Sequence, residues 1–291
     1  MKEDKKTKNS DLFWGILILP IAILVFLYFT NKADTGNKTP DVNINFGKSD
    51  SIDLFAQIEQ KVISTSTDFY DLNVKYPVEP KDSTNLIENT VVSLVNQKEN
   101  EWKTGGEMYN SWVELNQRFK DRAGIKNDFS IDYATSFSQK LGVRSYVFDE
   151  YQFTGGAHGS TNPRTYNFNK NGYIELKDVV NLQNNNAALL AKLINSKLPT
   201  ILGDGYNKNM ADDGLGLNCI KEDNTFDSAK AGCENVSLTQ NLKHFIVGDS
   251  GITFIMEQYQ VAPYASGMPR ITLTWAELKP YLNSSFDLPL E

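Results

Sequence analysis

Residues 128–139 read DFSIDYATSFSQ and residues 143–153 read VRSYVFDEYQF, and these two stretches decide the fold. Apolar and polar side chains alternate in both, which is the pattern of a β-strand with one buried face. RTYNFN, at residues 164–169, continues the alternation, and Asn171–Gly172 then supplies a hairpin turn signal before YIELKDV. The pattern predicts successive antiparallel strands.

Apolar residues at helical spacing lie on both sides of these strands. The sets that we predict to be helical core faces are Phe55, Ile58, Val62 and Ile63; Leu86, Ile87, Val91, Leu94, Val95 and Trp102; Met108, Trp112, Leu115 and Phe119; and Leu189, Leu190, Leu193, Ile194 and Leu198. Pro199 is expected to end the last of these helices. FYDLNVKYPV, at residues 69–78, alternates instead and predicts a further strand. The predicted fold class is therefore mixed α+β, with antiparallel sheets packed against helices.

The stretch Leu12–Thr30, LFWGILILPIAILVFLYFT, has 19 residues without a charge. As a helix it would span roughly 28 Å, about the thickness of a hydrocarbon core. We predict one transmembrane helix here, with a cleaved signal peptide or a buried core helix as the alternatives. Lysines are denser before the segment than after it, which favours a cytoplasmic tail at residues 1–11. The expected location is therefore the cell membrane, with a single span and an extracytoplasmic C-terminal domain.

Residues 31–50, NKADTGNKTPDVNINFGKSD, are polar and have no period, which predicts a flexible linker. The folded remainder is expected to have an N-terminal part at residues 51–165 and a C-terminal part at residues 166–291. The net charge of the chain is −7. A phosphate-binding surface needs the opposite sign, so we expect no nucleic-acid partner. An acidic domain suits a cationic partner, although it also suits solubility alone.

Cys219 and Cys233 are the two cysteines of the chain, and both follow the predicted span. In an oxidising compartment a disulfide is the natural interpretation, with two free thiols as the alternative. The irregular, glycine-rich stretch Gly203–Gly232 contains Cys219 and ends beside Cys233. A stretch this long without predicted structure is typical of a functional loop or of a loop held by a covalent bond.

Catalytic motifs are present only as fragments. GDSG, at residues 248–251, matches the nucleophile motif of chymotrypsin-like serine proteases. Those enzymes are pairs of all-β barrels with a complete triad, whereas this chain combines strands with several helices. We therefore interpret GDSG as a turn. His158 and His244 are the two histidines, and His244 is expected to be a partly buried structural residue.

Metal-binding patterns are equally incomplete. A zinc site from His158 with Asp149 or Glu150 lacks a defined ligand spacing. The loop GDGYNKNMADDGLG, at residues 203–216, is acidic but does not have the EF-hand spacing. Its candidate calcium ligands are Asp204, Asp212 and Asp213. We expect no metal, no cofactor and no enzyme activity.

Two motifs carry a family resemblance. Tyr151–Ser160 reads YQFTGGAHGS, and Tyr259–Gly267 reads YQVAPYASG. Together they resemble the extracytoplasmic domain family shared by RsiV-like anti-sigma factors and PdaC-like peptidoglycan deacetylases, over about residues 55–283. The resemblance implies a binding module of the cell envelope. In RsiV-like members it implies recognition of lysozyme, and in PdaC-like members the module accompanies a separate deacetylase domain.

The chain departs from both kinds of member. Residues 1–11 are too few for a sigma-binding domain, and the aspartate and His-x-x-x-His pattern of polysaccharide deacetylases is missing. We therefore expect neither anti-sigma activity nor deacetylation. The resemblance is carried over only to the two motifs and to the domain that contains them.

The predicted function is binding or sensing of a lysozyme-like protein or a peptidoglycan fragment. The predicted partner- or ligand-binding residues are Thr154, Gly155, Gly156, His158, Gly159, Ser160, Tyr259, Pro263, Tyr264 and Gly267. Glycine permits sharp turns, and tyrosine offers a large contact area at a low entropic cost. A purely structural role is the alternative for these residues. The alternative function is a cell-wall hydrolase that uses His158 with nearby carboxylates.

Overall fold

The alternating stretches form the centre of a six-stranded sheet in the computed structural model, which describes residues 59–78, 85–118 and 125–286. The strands lie in chain order across the sheet. They are β1 (Gln60–Ser66), β2 (Tyr70–Pro77), β3 (Asn127–Ser138), β4 (Val143–Phe153), β5 (Ser160–Asn169) and β6 (Gly172–Tyr173). The predicted antiparallel order of β3, β4 and β5 is confirmed, and so is the turn at Asn171–Gly172.

One pair of strands departs from the antiparallel prediction. β2 and β3 run parallel, with Leu72 opposite Phe129. A parallel pair needs a long crossover that returns the chain to the same end of the sheet. The helices α1 (Leu86–Trp102) and α2 (Glu107–Arg118) lie in that crossover. Both helices were predicted, but the parallel pairing of β2 and β3 that they permit was not.

The first strand corrects the helix predicted around Phe55, Ile58, Val62 and Ile63. Residues 60–66 form an edge strand that pairs with β2, while residues before 59 lie outside the described residues. Side chains in β1 alternate between exposed and half-buried. An edge strand like this one contains few apolar residues. Their spacing at Val62 and Ile63 is therefore compatible with a helix as well as with a strand.

Helix α1 buries its predicted face against the large sheet. Its buried residues are Ile87, Val91, Val95 and Trp102. They share a core with Leu72, Val74, Phe129, Ile131, Tyr146 and Phe148.

Helix α2 does not bury the face that its apolar spacing predicts. None of its described residues is buried, and Leu115 is 41% exposed. The helix packs through its aromatic residues at the start of β2, where the rings of Phe69 and Tyr109 lie 4.9 Å apart. Its aliphatic side borders a cleft, so the predicted core face is wrong at Leu115. Phe119 lies outside the described residues.

A second, three-stranded antiparallel sheet follows in the chain. Its strands are β7 (Phe245–Gly248), β8 (Gly251–Ile255) and β9 (Arg270–Thr274). The accompanying helices are α3 (Leu176–Val179), α4 (Asn186–Leu202), α5 (Lys208–Gly214), α6 (Leu238–Asn241) and α7 (Trp275–Leu278). GDSG forms the turn between β7 and β8, as predicted. Asp249 accepts a hydrogen bond from Ser138 Oγ at 2.5 Å, which ties this turn to the end of β3.

Helix α4 packs on the second sheet through Leu190, Ile194 and Leu198, which share a core with β8 and β9. Pro199 lies inside this helix, so the prediction that it ends the helix is wrong. A proline removes one backbone donor from the last turns of the helix. Gly203 ends the helix instead, with a φ of 53° and its N–H bonded to Pro199 O.

Strand β7 contacts the large sheet along its free edge through a polar seam of three buried side chains, Ser145, Thr165 and Asn167. Phe245 N donates to Thr165 Oγ1 and Phe245 O accepts from Asn167 Nδ2, both at 3.0 Å. Val247 N donates to Ser145 Oγ at 3.2 Å and to Asn167 Oδ1 at 3.3 Å. Buried backbone groups must be paired, so the polar seam takes the place of a neighbouring strand.

The predicted disulfide is present. Cys219 and Cys233 are bonded, with their Cα atoms 5.7 Å apart. The stretch Gly203–Gly232 is less irregular than predicted, because α5 and a 3-10 turn at Leu217–Cys219 lie within it.

The predictions for residues 1–11, 12–30 and 31–50 all fall outside the described residues. In residues 59–78, 85–118 and 125–286, every helix is too short or too polar to cross a membrane. The predicted boundary between residues 165 and 166 lies inside β5. The division of the domain at that boundary stays a prediction.

Candidate functional site

The first motif forms the loop that joins β4 to β5. Gly155 adopts a φ of 86°, a backbone conformation that favours glycine. Gly156, Ala157 and His158 are exposed, whereas Gly159 is buried. The loop therefore presents His158 to solvent on a turn that the glycines permit.

Gly159 brings the backbone against two tyrosines. A β-carbon at this position would overlap the ring of Tyr151. Its carbonyl oxygen accepts a hydrogen bond from Tyr264 Oη at 3.1 Å. His158 Nδ1 lies 2.9 Å from the same oxygen. Gly159 is thus required by close packing, and it fixes the first motif to the second.

The second motif lies between β8 and β9 and is also held by an unusual backbone. Tyr259 has a φ of 64°, which is rare for a residue with a side chain, and it is 51% exposed. Pro263 is exposed and precedes a 3-10 turn at Tyr264–Ser266, which ends at Gly267 with a φ of 65°. These turns direct aromatic side chains outwards.

Three rings from the two motifs meet, and we call His158, Tyr259 and Tyr264 the aromatic surface. The rings of His158 and Tyr264 stack with centroids 3.9 Å apart and an interplanar angle of 24°. The rings of Tyr259 and Tyr264 are 5.7 Å apart. Tyr259 Oη lies 3.4 Å from His158 Nε2. The structure thus brings together residues about a hundred positions apart in the chain.

The middle of the second motif is structural. Val261 and Ala262 are buried. Gln260 Nε2 donates to Gly214 O at 3.1 Å and to Asn241 O at 2.8 Å. A β-carbon at Gly214 would overlap the carbonyl of Gln260. The predicted binding motif therefore contains a packed anchor between its two tyrosines, Tyr259 and Tyr264.

The remaining predicted site residues do not all reach the aromatic surface. Thr154 and Gly155 line a separate cleft beside α2. Ser160 is exposed at the start of β5, where it pairs with Gln152. Gln258, which the sequence reasoning missed, joins the residues that flank the two motifs: its Oε1 accepts from Thr161 N at 2.8 Å. Its position immediately before the second motif was the available signal.

The carboxylates predicted near His158 have other surroundings. Glu150 forms an ion pair with Arg164. Burial raises the pKa of Asp149, although Arg270 opposes this effect. His158 contacts the carbonyl of Gly159 and the side chains of Tyr259 and Tyr264. The hydrolase remains a hypothesis.

His244 is partly buried, as predicted, and its Nε2 lies 3.0 Å from Glu257 Oε1. Lys243 Nζ lies 2.9 Å from the same oxygen. The hydrogen bond from His244, followed by the contact with Lys243, lowers the pKa of Glu257 to about 2. This cluster at the base of the second motif was missed by the sequence reasoning, because no local pattern connects residues 243–244 with residue 257.

Two of the three candidate calcium ligands make local contacts. Asp212 pairs with Lys208, and Asp213 accepts from the amide of Asn218. Across the described parts of the chain, no three His, Cys, Asp or Glu side chains cluster so that they could hold a metal ion.

The α+β domain that contains both motifs matches two family models. Residues 63–161 match the family described as deacetylase PdaC. Residues 177–276 match the family described as protein of unknown function DUF3298. These two matches confirm the domain family that the two motifs indicated.

Two crystal structures of DUF3298 family proteins are similar to the chain. One, from Bacteroides fragilis, is 17% identical, and the match covers 78% of this chain and 94% of that one with a TM-score of 0.50. The other, from Pseudomonas aeruginosa, is 15% identical, with coverages of 80% and 98% and a TM-score of 0.42. At 17% identity the first likeness shows the fold alone. No curated protein matches the chain.

Proposed function

We propose that this protein is a membrane-anchored binding module that recognises a cationic, lysozyme-like protein through the aromatic surface. The observation that carries the proposal is the stack of His158 on Tyr264 beside the half-exposed Tyr259. Exposed tyrosines on a constrained backbone lose little entropy on binding, and they are enriched at the centres of protein interfaces.

The charge of the chain supports a cationic partner. The net charge is −7, and complementary charge speeds the encounter of two proteins more than it strengthens their final complex. Affinity would then come from the aromatic surface, and the encounter rate from the acidic domain.

The proposed location follows from the sequence alone. The uncharged stretch Leu12–Thr30 is long enough to anchor the chain. Residues 31–50 would act as a flexible linker that holds the domain near the outer face of the membrane.

Binding is tested with the full chain in lipid nanodiscs, titrated with a lysozyme at about physiological ionic strength. We expect saturable binding that is stronger than binding of an unrelated cationic protein of similar size. Equal binding of both proteins would contradict the proposal, because it would reduce the interaction to net charge.

Peptidoglycan fragments serve as the competing ligand in the same assay. Binding of fragments without binding of lysozyme would replace the proposed partner while retaining a binding function. Cleavage of the fragments that is lost in His158→Ala would favour the hydrolase hypothesis instead.

A further inference from the structure

The hydrogen bonds of His158 assign different roles to its two ring nitrogens. Nδ1 lies 2.9 Å from the carbonyl oxygen of Gly159. A carbonyl oxygen only accepts hydrogen bonds, so Nδ1 carries the proton of the neutral ring and donates it. Tyr264 Oη donates to the same oxygen at 3.1 Å. The tautomer fixed in this way leaves His158 Nε2 as a hydrogen-bond acceptor.

This acceptor nitrogen is held only weakly within the protein. Its neighbour is Tyr259 Oη at 3.4 Å, a distance longer than the roughly 2.5–3.2 Å of an ordinary hydrogen bond. His158 is exposed, and Tyr259 is 51% exposed. A donor from another molecule can therefore reach Nε2 and replace the long contact with Tyr259.

The tyrosine rings beside Nε2 are available to a cation. A tyrosine ring attracts a positive charge through the negative potential of its face. Among the described residues, the cation–π contacts lie elsewhere, with Lys61 over Tyr76 and Lys98 over Phe129. The net charge of the chain is −7. An exposed ring, a neighbouring acceptor and an acidic chain together favour a group that is cationic and donates N–H bonds.

We propose that the aromatic surface binds an arginine side chain of its protein partner. The guanidinium stacks on the exposed ring of Tyr259 and donates a hydrogen bond to His158 Nε2. Arginine fits better than lysine because its guanidinium is planar, stacks on aromatic rings and carries several N–H donors. The inference rests on the proposed function, since it names the group of the cationic partner that this surface recognises.

The test uses saturation-transfer NMR on the full chain in lipid nanodiscs, with two probes of nearly the same shape. N-acetyl-arginine N-methylamide carries the guanidinium, and N-acetyl-citrulline N-methylamide carries a neutral urea group in its place. Empty nanodiscs correct for binding to lipid. We expect saturable binding of the arginine probe. The citrulline probe should bind about fivefold more weakly, because it lacks the charge that the ring attracts.

Two variants separate the contribution of the nitrogen from that of the ring. His158→Phe keeps an aromatic ring on Tyr264 but has no acceptor, and it should weaken binding of the arginine probe about tenfold. Tyr259→Ala should abolish the preference for arginine over citrulline. Tyr173→Ala, at an exposed position of β6, is the control and should bind both probes as the wild type does. Melting temperatures check that each variant is folded.

The outcomes distinguish the arginine site from the proposed function. The inference is overturned if the wild type binds both probes equally, if the arginine signal equals that of empty nanodiscs, or if folded His158→Phe binds the arginine probe unchanged. Lysozyme binding in any of these cases would leave the proposed function without the arginine site. Binding of the arginine probe without binding of lysozyme would support the site and replace the partner. Should His158→Phe fail to fold, the two probes and Tyr259→Ala decide.

Discussion

At the scale of single residues, the second motif contains both packed and solvent-exposed side chains. Gln260, Val261 and Ala262 are anchored or buried, whereas Tyr259 and Pro263 are exposed. The sequence predicted that the motif matters but could not assign these roles. The hydrogen bonds of Gln260 depend on α5 and α6, which are distant in the chain.

The close contact between Gly214 and the carbonyl of Gln260 allows the packing role of the second motif to be tested. Gly214→Ala places a β-carbon on the carbonyl of Gln260, and a backbone atom cannot move aside cheaply. We expect a loss of about 3 kcal/mol in the free energy of unfolding, at the upper end of overpacking effects. Chemical denaturation measures it. The matched control is Gly156→Ala, whose β-carbon meets no atom closer than 3.8 Å. Equal stability of the two variants would contradict the described packing.

Glu257 predicts a dependence of stability on pH. Its pKa is lowered to about 2 from the ordinary 4.5 by His244 and Lys243. The folded state therefore gains stability from the ionised carboxylate above pH 4.5 and loses it as the pH falls towards 2. Since the side chain is 37% exposed, screening by water reduces the expected loss between about pH 6 and 3 to about 1 kcal/mol.

The matched variant for this effect is Glu257→Gln, which retains the shape but does not titrate. Urea denaturation at both pH values gives the free energy of unfolding for each protein. The wild type should lose about 1 kcal/mol more than the variant on acidification. Equal losses would show that this carboxylate does not contribute.

At the scale of secondary-structure elements, the sequence correctly predicts the strands and helices whose apolar residues recur with a clear period. β3 and α1 have one clearly buried face, β4 is buried on both faces at its centre, and each was predicted. β1 was wrongly predicted as a helix, and the core face of α2 was wrong at Leu115, because half-exposed side chains weaken the relation between period and burial. The contribution of Ser145, Thr165 and Asn167 could not be predicted, because buried polar residues resemble solvent-facing ones in a strand pattern.

The polar seam gives a prediction about how the two sheets are joined. Asn167→Leu keeps the size of the side chain but leaves Phe245 O without its 3.0 Å partner. We expect the free energy of unfolding to fall by about 2 kcal/mol, the cost of an unsatisfied buried group. Asn162→Leu, at an exposed position of the same strand, is the control. A loss no larger than in the control would show that β7 does not depend on the seam.

At the scale of the whole molecule, mixed α+β composition was predictable and the path of the chain was not. Strand alternation indicates sheets, yet nothing in it distinguishes the parallel β2–β3 pair from a hairpin. The meeting of His158 with Tyr264 depends on how the two sheets pack. The family resemblance paired the two motifs, but their contact required the three-dimensional arrangement.

The central claim is that the aromatic surface binds a lysozyme-like protein, and a matched pair of tyrosine variants tests it most directly. Tyr259 is 51% exposed on that surface, and Tyr173 is 43% exposed in β6. Lysozyme affinity is measured by interferometry on the full chain in nanodiscs, with melting temperatures as the check on folding. We predict that Tyr259→Ala weakens binding about tenfold or more, as expected for an interface hot spot, and that Tyr173→Ala binds as the wild type does. Equal affinities of the two folded variants would contradict the claim.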